Sequence, residues 1–368
     1  MRVGVLGGGQ LGRMLGLAGI PLGIRFRFLD PGPDAPARQV GEWIRGGYGK
    51  LEALETFVSG LDLVTWEFEN VPVETAQTLK DRVAVRPNPV ALERAQDRKV
   101  EKQLFRSLGI PTASFRTVDS REELLRAGAD LGFPAVLKTR RMGYDGKGQR
   151  LLQSARDVDG AWAELQGSPL ILEAFVPFRR ELSIVGARGK DGKVVFYPLV
   201  ENRHRSGILV RTEAPAPQVP SALEELAQSY LRRLMGEMEY VGVLALELFH
   251  VGDDLFANEM APRVHNSGHW TQDGALTSQF ENHIRAVTGL PLGPTDPEGV
   301  TIMVNTIGRV PSPAAVLRLP GTHLHLYDKV PRPGRKLGHV NVRGATRADA
   351  RERARAVEEL LGDLEGHQ

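Results

Sequence analysis

The sequence predicts a mixed architecture, α/β at its N-terminal end and α+β beyond it, and three observations carry that reading. At 368 residues the chain exceeds one ordinary core, so two or three domains are expected. The first ninety or so residues alternate short apolar runs with helical stretches, the pattern of parallel strands joined by crossover helices. From about residue 113 the apolar runs are separated by short turns, which suits a largely antiparallel sheet.

Taken in order, "RVGVLG", "IRFRFLD", "LDLVTWEFE" and "VAVRP" are the strand candidates of the first part. "RPNPVALERAQDRKVEKQLFRSLGIPTA" holds two prolines, a charged helical stretch and another proline, and reads as a connection into a second domain. Strand candidates there are "PAVLKTR", "QRLLQ", "LILEAFV", "RELSIVGARG" and "VVFYPLVEN". A helix at about 221 to 235 precedes the strand pair "VGVLALELFH" and "DLFANEMAP". The last part opens after "TGLPLGPTDPEG", contains "VTIMVNTIG" and "HLHLYDK", and ends in an arginine-rich amphipathic helix from about Ala348. No internal repeat or low-complexity tract is present, and "APAPQVP" at 214 to 220 is merely punctuated by proline.

Composition is globular, with 41% hydrophobic and 25% charged residues. A net charge of +2, from 47 basic and 45 acidic residues, gives no global field for nucleic acid, so any anion site is local. The absence of cysteine removes disulfides, thiol nucleophiles and cysteine-ligated zinc. The N-terminus lacks a signal peptide's form, and no stretch approaches the roughly 20 apolar residues that span a bilayer. A soluble, cytoplasmic protein without membrane or nucleic-acid partners is expected.

Several local patterns carry chemistry. Gly7, Gly9 and Gly12 in "VLGGGQLGRM" have the G-x-G-x-x-G spacing of a dinucleotide loop, and Asp30 ends the second apolar run where a ribose-binding acid would sit. The alternative is close packing in a strand-to-helix turn. Lys138 ends a β-rich run ahead of a second glycine-rich loop, Gly143 to Gly148, which together could hold nucleotide phosphates or form a solvated hairpin. The spacing is not that of a Walker A loop.

In "LELFHVGDDLFANEM", a turn centred on Asp253 places residues whose numbers sum to 506 opposite one another, so Glu247 faces Glu259. Opposed carboxylates repel unless a cation joins them, and with Asn258 alongside they make hard oxygen ligands for Mg2+. The alternative is that one of them is an ordinary solvent-facing hairpin acid. "APRVHNSGHWTQDG" follows, with Arg263, His265, Asn266, His269 and Trp270 in one polar loop, a natural place for substrate contacts.

These residues, with Glu173 and Glu181 in "LEAFVPFRRELS", resemble the ATP-grasp superfamily. More narrowly, "GGGQLGRM", "TWEFENVP", "NEMAPRVHNSGHWT" and "HLHLYDKVPRPGRKLGH" resemble the N5-carboxyaminoimidazole ribonucleotide synthetase family over nearly the whole chain. The resemblance implies an ATP-grasp fold with a Rossmann-like pre-ATP-grasp domain (1–95), a two-lobed ATP-grasp domain (96–287) and a small C-terminal domain (288–368). It implies ATP and Mg2+, bicarbonate as co-substrate, no NAD and no biotin, and by analogy a homodimer. The reaction implied is activation of bicarbonate by the γ-phosphate to carboxyphosphate, which yields CO2 for capture by the exocyclic amine of aminoimidazole ribonucleotide, a step of purine biosynthesis.

Residue by residue, the resemblance assigns Gly8, Gly9, Gln10, Leu11, Glu67 and Asn70 to the ribonucleotide wall, and Lys329 and Arg335 to its 5′-phosphate. Arg98 and Lys138 would contact ATP phosphates. The loop Gly143, Tyr144, Asp145, Gly146, Lys147, Gly148 and Gln149 would close over them, with Tyr144, Asp145 and Lys147 at the imidazole. Glu173, Ala174, Phe175 and Val176 would hold adenine through the backbone, Glu181 the ribose, and His204 a further nucleotide contact. Glu247 and Glu259 would carry Mg2+ beside Asn258, and Arg263, His265 and Asn266 would meet carboxyphosphate or CO2.

Competing readings are separable. A formate- or amino-acid-using ligase would share Lys138 and the paired acids but not "HNSGHWT". A biotin carboxylase would have a longer last domain, and an NAD oxidoreductase would bind NADH. A non-catalytic nucleotide-binding regulator would have lost Lys138, Glu247 or Glu259.

Overall fold

A computed structural model describes residues 1–143 and 146–362. Its first sheet is parallel throughout, in the order β3-β2-β1-β4-β5, from β1 (Arg2–Leu6), β2 (Arg25–Asp30), β3 (Glu42–Arg45), β4 (Leu63–Trp66) and β5 (Ala84–Val85). Four of these are the expected runs. The unforeseen β3, "EWIR", is short and half-exposed, so it carries neither a long apolar run nor a clear alternation.

The second sheet is a small antiparallel lobe of β6 (Phe115–Val118), β7 (Ala135–Thr139), β8 (Gln149–Leu152) and β9 (Leu170–Ala174), ordered β6-β9-β7-β8. The third sheet has nine antiparallel strands, β10 (Arg180–Arg188), β11 (Val194–Phe196), β12 (Val200–Arg205), β13 (Ile208–Ala214), β14 (Gly242–Val251), β15 (Asp254–Ala261), β16 (Val300–Ile307), β17 (Thr322–Leu326) and β18 (Lys336–Gly344). Its order is β15-β14-β10-β12-β13-β16-β18-β17, with β11 beside β10. Strands from the last part of the chain therefore extend the sheet begun by the middle part, through the β13–β16 pair.

The helix Ser221–Glu237 buries Leu223, Ala227, Tyr230, Leu231 and Leu234, a 3.6-residue stripe laid against β10, β14 and β15. The helix Arg98–Ser107 begins at Asp97, whose carboxylate accepts from the Lys99 N–H, and turns Glu101 and Lys102 inward with Leu104 and Phe105. One buried cluster runs from Val3, Val5 and Phe28 through Ile284 and Val287 to Trp270, so the parallel sheet is packed onto the large one. The closing helix is Arg347–Leu361. Among the described residues no helix is long and apolar enough to cross a membrane.

Candidate active site

The three sheets wall one cavity of about 940 Å3. On the parallel-sheet side stands the glycine loop, where the structure corrects the sequence reading. The Gly8 N–H donates to Asp30 Oδ2 (2.9 Å), the Gly9 N–H to Glu67 Oε1, and the Gly12 N–H to Glu67 Oε2 (2.5 Å). Glu67 sits where a pyrophosphate would cap this helix, and a Cβ on Gly7, at φ +107°, would collide with its Cγ. Gly8 and Gly9 thus direct their N–H groups at the chain's own carboxylates. Gln10, Leu11, Glu67 and Asn70 do line the cavity, and Gln10 Oε1 accepts from Lys329 Nζ (2.9 Å).

Opposite lies a dense array of charge. Arg98, Glu101 and Lys102 come from one helix turn; Lys138 and Glu173 come from β7 and β9. Lys138 Nζ (3.0 Å) and Lys102 Nζ (3.2 Å) both reach Glu173 Oε2. Burial works against the Glu173 charge, but Lys102, Lys138 and Arg98 hold the carboxyl at about 2. Glu101 accepts the Met260 N–H (2.6 Å). Neither Lys102 nor Glu101 was read from the sequence, since charged residues in a helical stretch ordinarily face water.

The hairpin of β14 and β15 does pair Glu247 with Glu259, by a different route from that expected. Val251 pairs with Asp254, so the turn is the two residues Gly252 and Asp253, and the pairs down to Leu248 with Ala257 sum to 505. A β-bulge at Asn258 then shifts the register by one. Asn258 and Glu259 together oppose Glu247, and all three line the cavity. Arg98 Nη1 lies 2.8 Å from Glu259 Oε2. Burial opposes the Glu259 charge and Arg98 overcomes it, holding the carboxyl below the usual range; burial and the facing Glu259 push Glu247 up. Among the described residues, Asn258 Oδ1 is a buried acceptor without a hydrogen-bond partner. Two carboxylates and that oxygen suit a hard divalent cation. Among the described residues no group of three or more His, Cys, Asp or Glu could hold a metal ion.

The polar loop after β15 is firmly tied. Arg263 is bidentate with Glu69, an acid the sequence reading passed over, through Nε to Oε2 and Nη2 to Oε1 (3.0 Å). His265 is held at both backbone groups by Gln279 (2.9 and 2.7 Å), and its Nε2 lies 3.3 Å from Glu247. Burial, reinforced by Arg263, lowers His265 to about 3, so the ring is neutral. Asn266 and Asn305 exchange amide hydrogen bonds (3.1 and 2.8 Å).

At the far end Glu181 and His204 pair, Oε2 to Nδ1, at 2.5 Å. Ala174 and Phe175 direct their N–H groups to Ser114 and Pro134 carbonyls (2.8 and 3.2 Å). Val176 lines the cavity beside Phe178 and Phe249, whose rings stack at 4.6 Å, an aromatic wall that the sequence reading did not include. Gly143, Gly146, Lys147 and Gln149 line the cavity, and Gly148, at φ +70°, packs on Thr139. Tyr144 and Asp145 lie outside the described residues. Arg335 is absent from the wall, its Nη1 donating to Val330 O (3.1 Å), whereas its neighbour Lys336 lines the cavity.

A cavity between a small antiparallel lobe and a large sheet, with Arg98 and Lys138 on one side and opposed carboxylates on the other, defines an ATP-grasp ligase. Family models match an ATP-grasp domain over 103–280, a ribonucleotide synthetase preATP-grasp domain over 1–96 and a phosphoribosylaminoimidazole carboxylase C-terminal domain over 301–353. The N5-carboxyaminoimidazole ribonucleotide synthase of Pseudomonas aeruginosa is 53% identical over 361 residues, covering 98% of this chain and 99% of its own. The crystal structure of N5-carboxyaminoimidazole ribonucleotide synthetase from Thermus thermophilus superposes with a TM-score of 0.94 at 53% identity, covering 99% of this chain and 100% of that one. The Aspergillus clavatus enzyme, solved with ADP and 5-aminoimidazole ribonucleotide, gives 0.91 at 32% identity, covering 98% and 99%. The chain belongs to the N5-carboxyaminoimidazole ribonucleotide synthase family.

Proposed function

We infer that this chain carboxylates 5-aminoimidazole ribonucleotide with bicarbonate, converting ATP to ADP and phosphate and yielding N5-carboxyaminoimidazole ribonucleotide for purine biosynthesis. The observation that carries this reading is the single cavity of about 940 Å3, roomy enough for a nucleotide and a ribonucleotide together, walled by residues of all three matched family regions.

ATP lies with its adenine in the slot of Val176, Phe178 and Phe249, its ribose at Glu181 and its phosphates at Arg98 and Lys138. The 143–149 loop closes over them and keeps water from the reacting centre. Glu247, Glu259 and Asn258 would hold Mg2+, which when bound neutralises phosphate charge. A bicarbonate oxygen attacks the γ-phosphorus and ADP leaves; carboxyphosphate then divides into CO2 and phosphate. The exocyclic amine of the ribonucleotide bonds to that CO2 and gives up a proton to the phosphate just released.

Arg263, oriented by Glu69, His265 and Asn266 face the carboxyphosphate, stabilising charge as it develops. Gln10, Leu11 and Asn70 support the ribonucleotide, Lys147 approaches its imidazole, and Lys329 and Lys336 supply the basic end for its phosphate. The three-domain division at residues 95 and 287, a cytoplasmic location and a homodimer complete the proposal; sedimentation of the purified chain tests the last.

The direct test is ADP release with Mg-ATP, with and without bicarbonate and 5-aminoimidazole ribonucleotide. Strong stimulation requiring both is expected. A folded protein that shows none would redirect the assignment to formate or amino-acid acceptors.

A further inference from the structure

Behind His265 runs a buried line of side-chain hydrogen bonds that no part of the reaction above uses. Thr212 Oγ1 donates to Asn202 Oδ1 (2.9 Å), Asn202 Nδ2 to Ser183 Oγ (2.9 Å), Ser183 Oγ to Ser267 Oγ (2.7 Å), and Ser267 Oγ contacts His265 Nδ1 at 2.9 Å. All four residues are buried, from three adjacent strands and the loop that carries His265. A polar chain this long inside a sheet is a liability unless every member is satisfied.

Side-chain hydroxyls and an amide could run in either direction, with the amide flipped and each O–H reversed. One group here cannot reverse. The Ser267 backbone N–H also points at His265 Nδ1 (3.3 Å), and a backbone amide only donates. A proton on Nδ1 would face that N–H. Nδ1 is therefore the acceptor, Ser267 Oγ donates to it, and the direction of every earlier bond follows.

We propose that Thr212, Asn202, Ser183 and Ser267 are positioning residues that fix His265 as the Nε2–H tautomer, so that it serves as a hydrogen-bond donor at the carboxylate and phosphoryl end of the cavity and not as the base that receives the amine's proton. The geometry agrees at the other nitrogen, since Nε2 lies 3.3 Å from Glu247, an acceptor. Gln279 fixes the backbone of the same residue at both its N–H and its carbonyl. The donor role rests on the carboxylase reading; the tautomer does not.

The test is 15N imidazole NMR of the full chain with labelled histidine, at pH 7 and without ligands. The chain has nine histidines, and His265→Gln assigns the resonance. His265 is expected to give a pyridine-like Nδ1 and a pyrrole-like Nε2. Ser267→Ala removes the hydroxyl donor to Nδ1 and keeps the weaker backbone N–H, so it should shift the Nδ1 resonance and admit part of the second tautomer, and Ser183→Ala should do so more weakly. Ser183→Ala should also lower kcat about tenfold with the KM for ATP within twofold, and Ser183→Thr should restore it.

An Nδ1–H or doubly protonated ring in the unmodified protein overturns the proposal outright, whatever the variants' stability. So does a Ser267→Ala spectrum that does not change. An unchanged kcat in a Ser183→Ala protein whose spectrum has shifted overturns the donor role. If the unmodified chain shows the expected tautomer but no ribonucleotide-dependent ADP release, the carboxylase reading fails and the tautomer assignment stands.

Discussion

Replacing Lys102 with methionine should damage nucleotide binding while barely affecting stability, against the usual expectation for a buried ion pair. Breaking such a pair ordinarily costs about 3–5 kcal/mol. Here the attraction between Lys102 and Glu173 at 3.2 Å is about 5 kcal/mol at an effective dielectric of about 20. Lys138 reaches the same oxygen at 3.0 Å, so the two ammonium groups stand within about 6 Å of each other and repel by about 3 kcal/mol. The remaining advantage, about 2 kcal/mol, is offset by the cost of taking the Lys102 ammonium out of water, which lowers its pKa.

Methionine fills the same volume without that cost. Thermal unfolding should therefore move by no more than about 3 °C, at roughly 0.8 kcal/mol per degree for a chain of this length. The cavity, however, loses one positive charge beside Lys138. Removing one positive charge from the group around Lys138 is expected to raise the KM for ATP about tenfold or more, with the KM for the ribonucleotide little changed. Initial rates of ADP release over a matrix of both substrates measure the split. A variant that loses more than 3 kcal/mol of stability while keeping its KM for ATP would refute the reasoning and make Lys102 a structural partner only.

Three further outcomes are expected. Glu259→Gln should reduce ribonucleotide-dependent ADP release at least a hundredfold while circular dichroism and unfolding stay near normal; near-normal release would remove Glu259 from the metal site. Lys336→Ala should raise the KM for the ribonucleotide about tenfold and Arg335→Ala less than threefold, as only the former side chain lines the cavity, and the reverse order would restore Arg335 to the phosphate. His283 is buried, its Nδ1 accepting the Val243 N–H (3.2 Å) and its Nε2 contacting Thr65 Oγ1 (2.9 Å), and burial lowers it to about 3. The folded state then binds fewer protons than the unfolded state below about pH 6.5, so stability is full above that pH and falls by about 1.4 kcal/mol per unit below it. Between pH 7.5 and 5 the denaturant stability of His283→Gln should fall by about 2 kcal/mol less than that of the parent, and parallel curves would discard the assignment.

What the sequence disclosed was local, and what it withheld was long-range. The Glu247–Glu259 pair was legible because a hairpin ties register to a short turn, yet two deviations cancelled: a turn of two residues and a bulge at Asn258. Only the bulge explains why Asn258 faces the cavity beside Glu259. Gly7, Gly9 and Gly12 announced a strand-to-helix turn, but the acid that caps it is Glu67, 55 positions beyond Gly12 in the chain. Glu69 and Lys102 escaped for a related reason. Their partners Arg263 and Glu173 come from distant strands and loops, and in isolation each reads as a solvated charge.

The same pairings also bear on where a cation would bind. Most acids of the cavity have a positively charged or backbone N–H partner: Glu67 the helix N-terminus, Glu69 its arginine, Glu173 two lysines, Glu181 a histidine whose pKa it raises against the effect of burial, and Glu259 the Arg98 guanidinium. Glu247 differs. Its contact at 3.3 Å is the neutral His265 ring, and burial together with the facing Glu259 raises its pKa although His204 and Lys336 act against them. A carboxylate held at that disadvantage gains most from a divalent cation, and the adjacent Asn258 Oδ1 supplies a neutral oxygen without adding charge. If the ion is held by both acids, Mg2+ added with ADP should protect Glu247→Gln against unfolding less than it protects the parent. Equal protection of the two proteins would place the ion elsewhere.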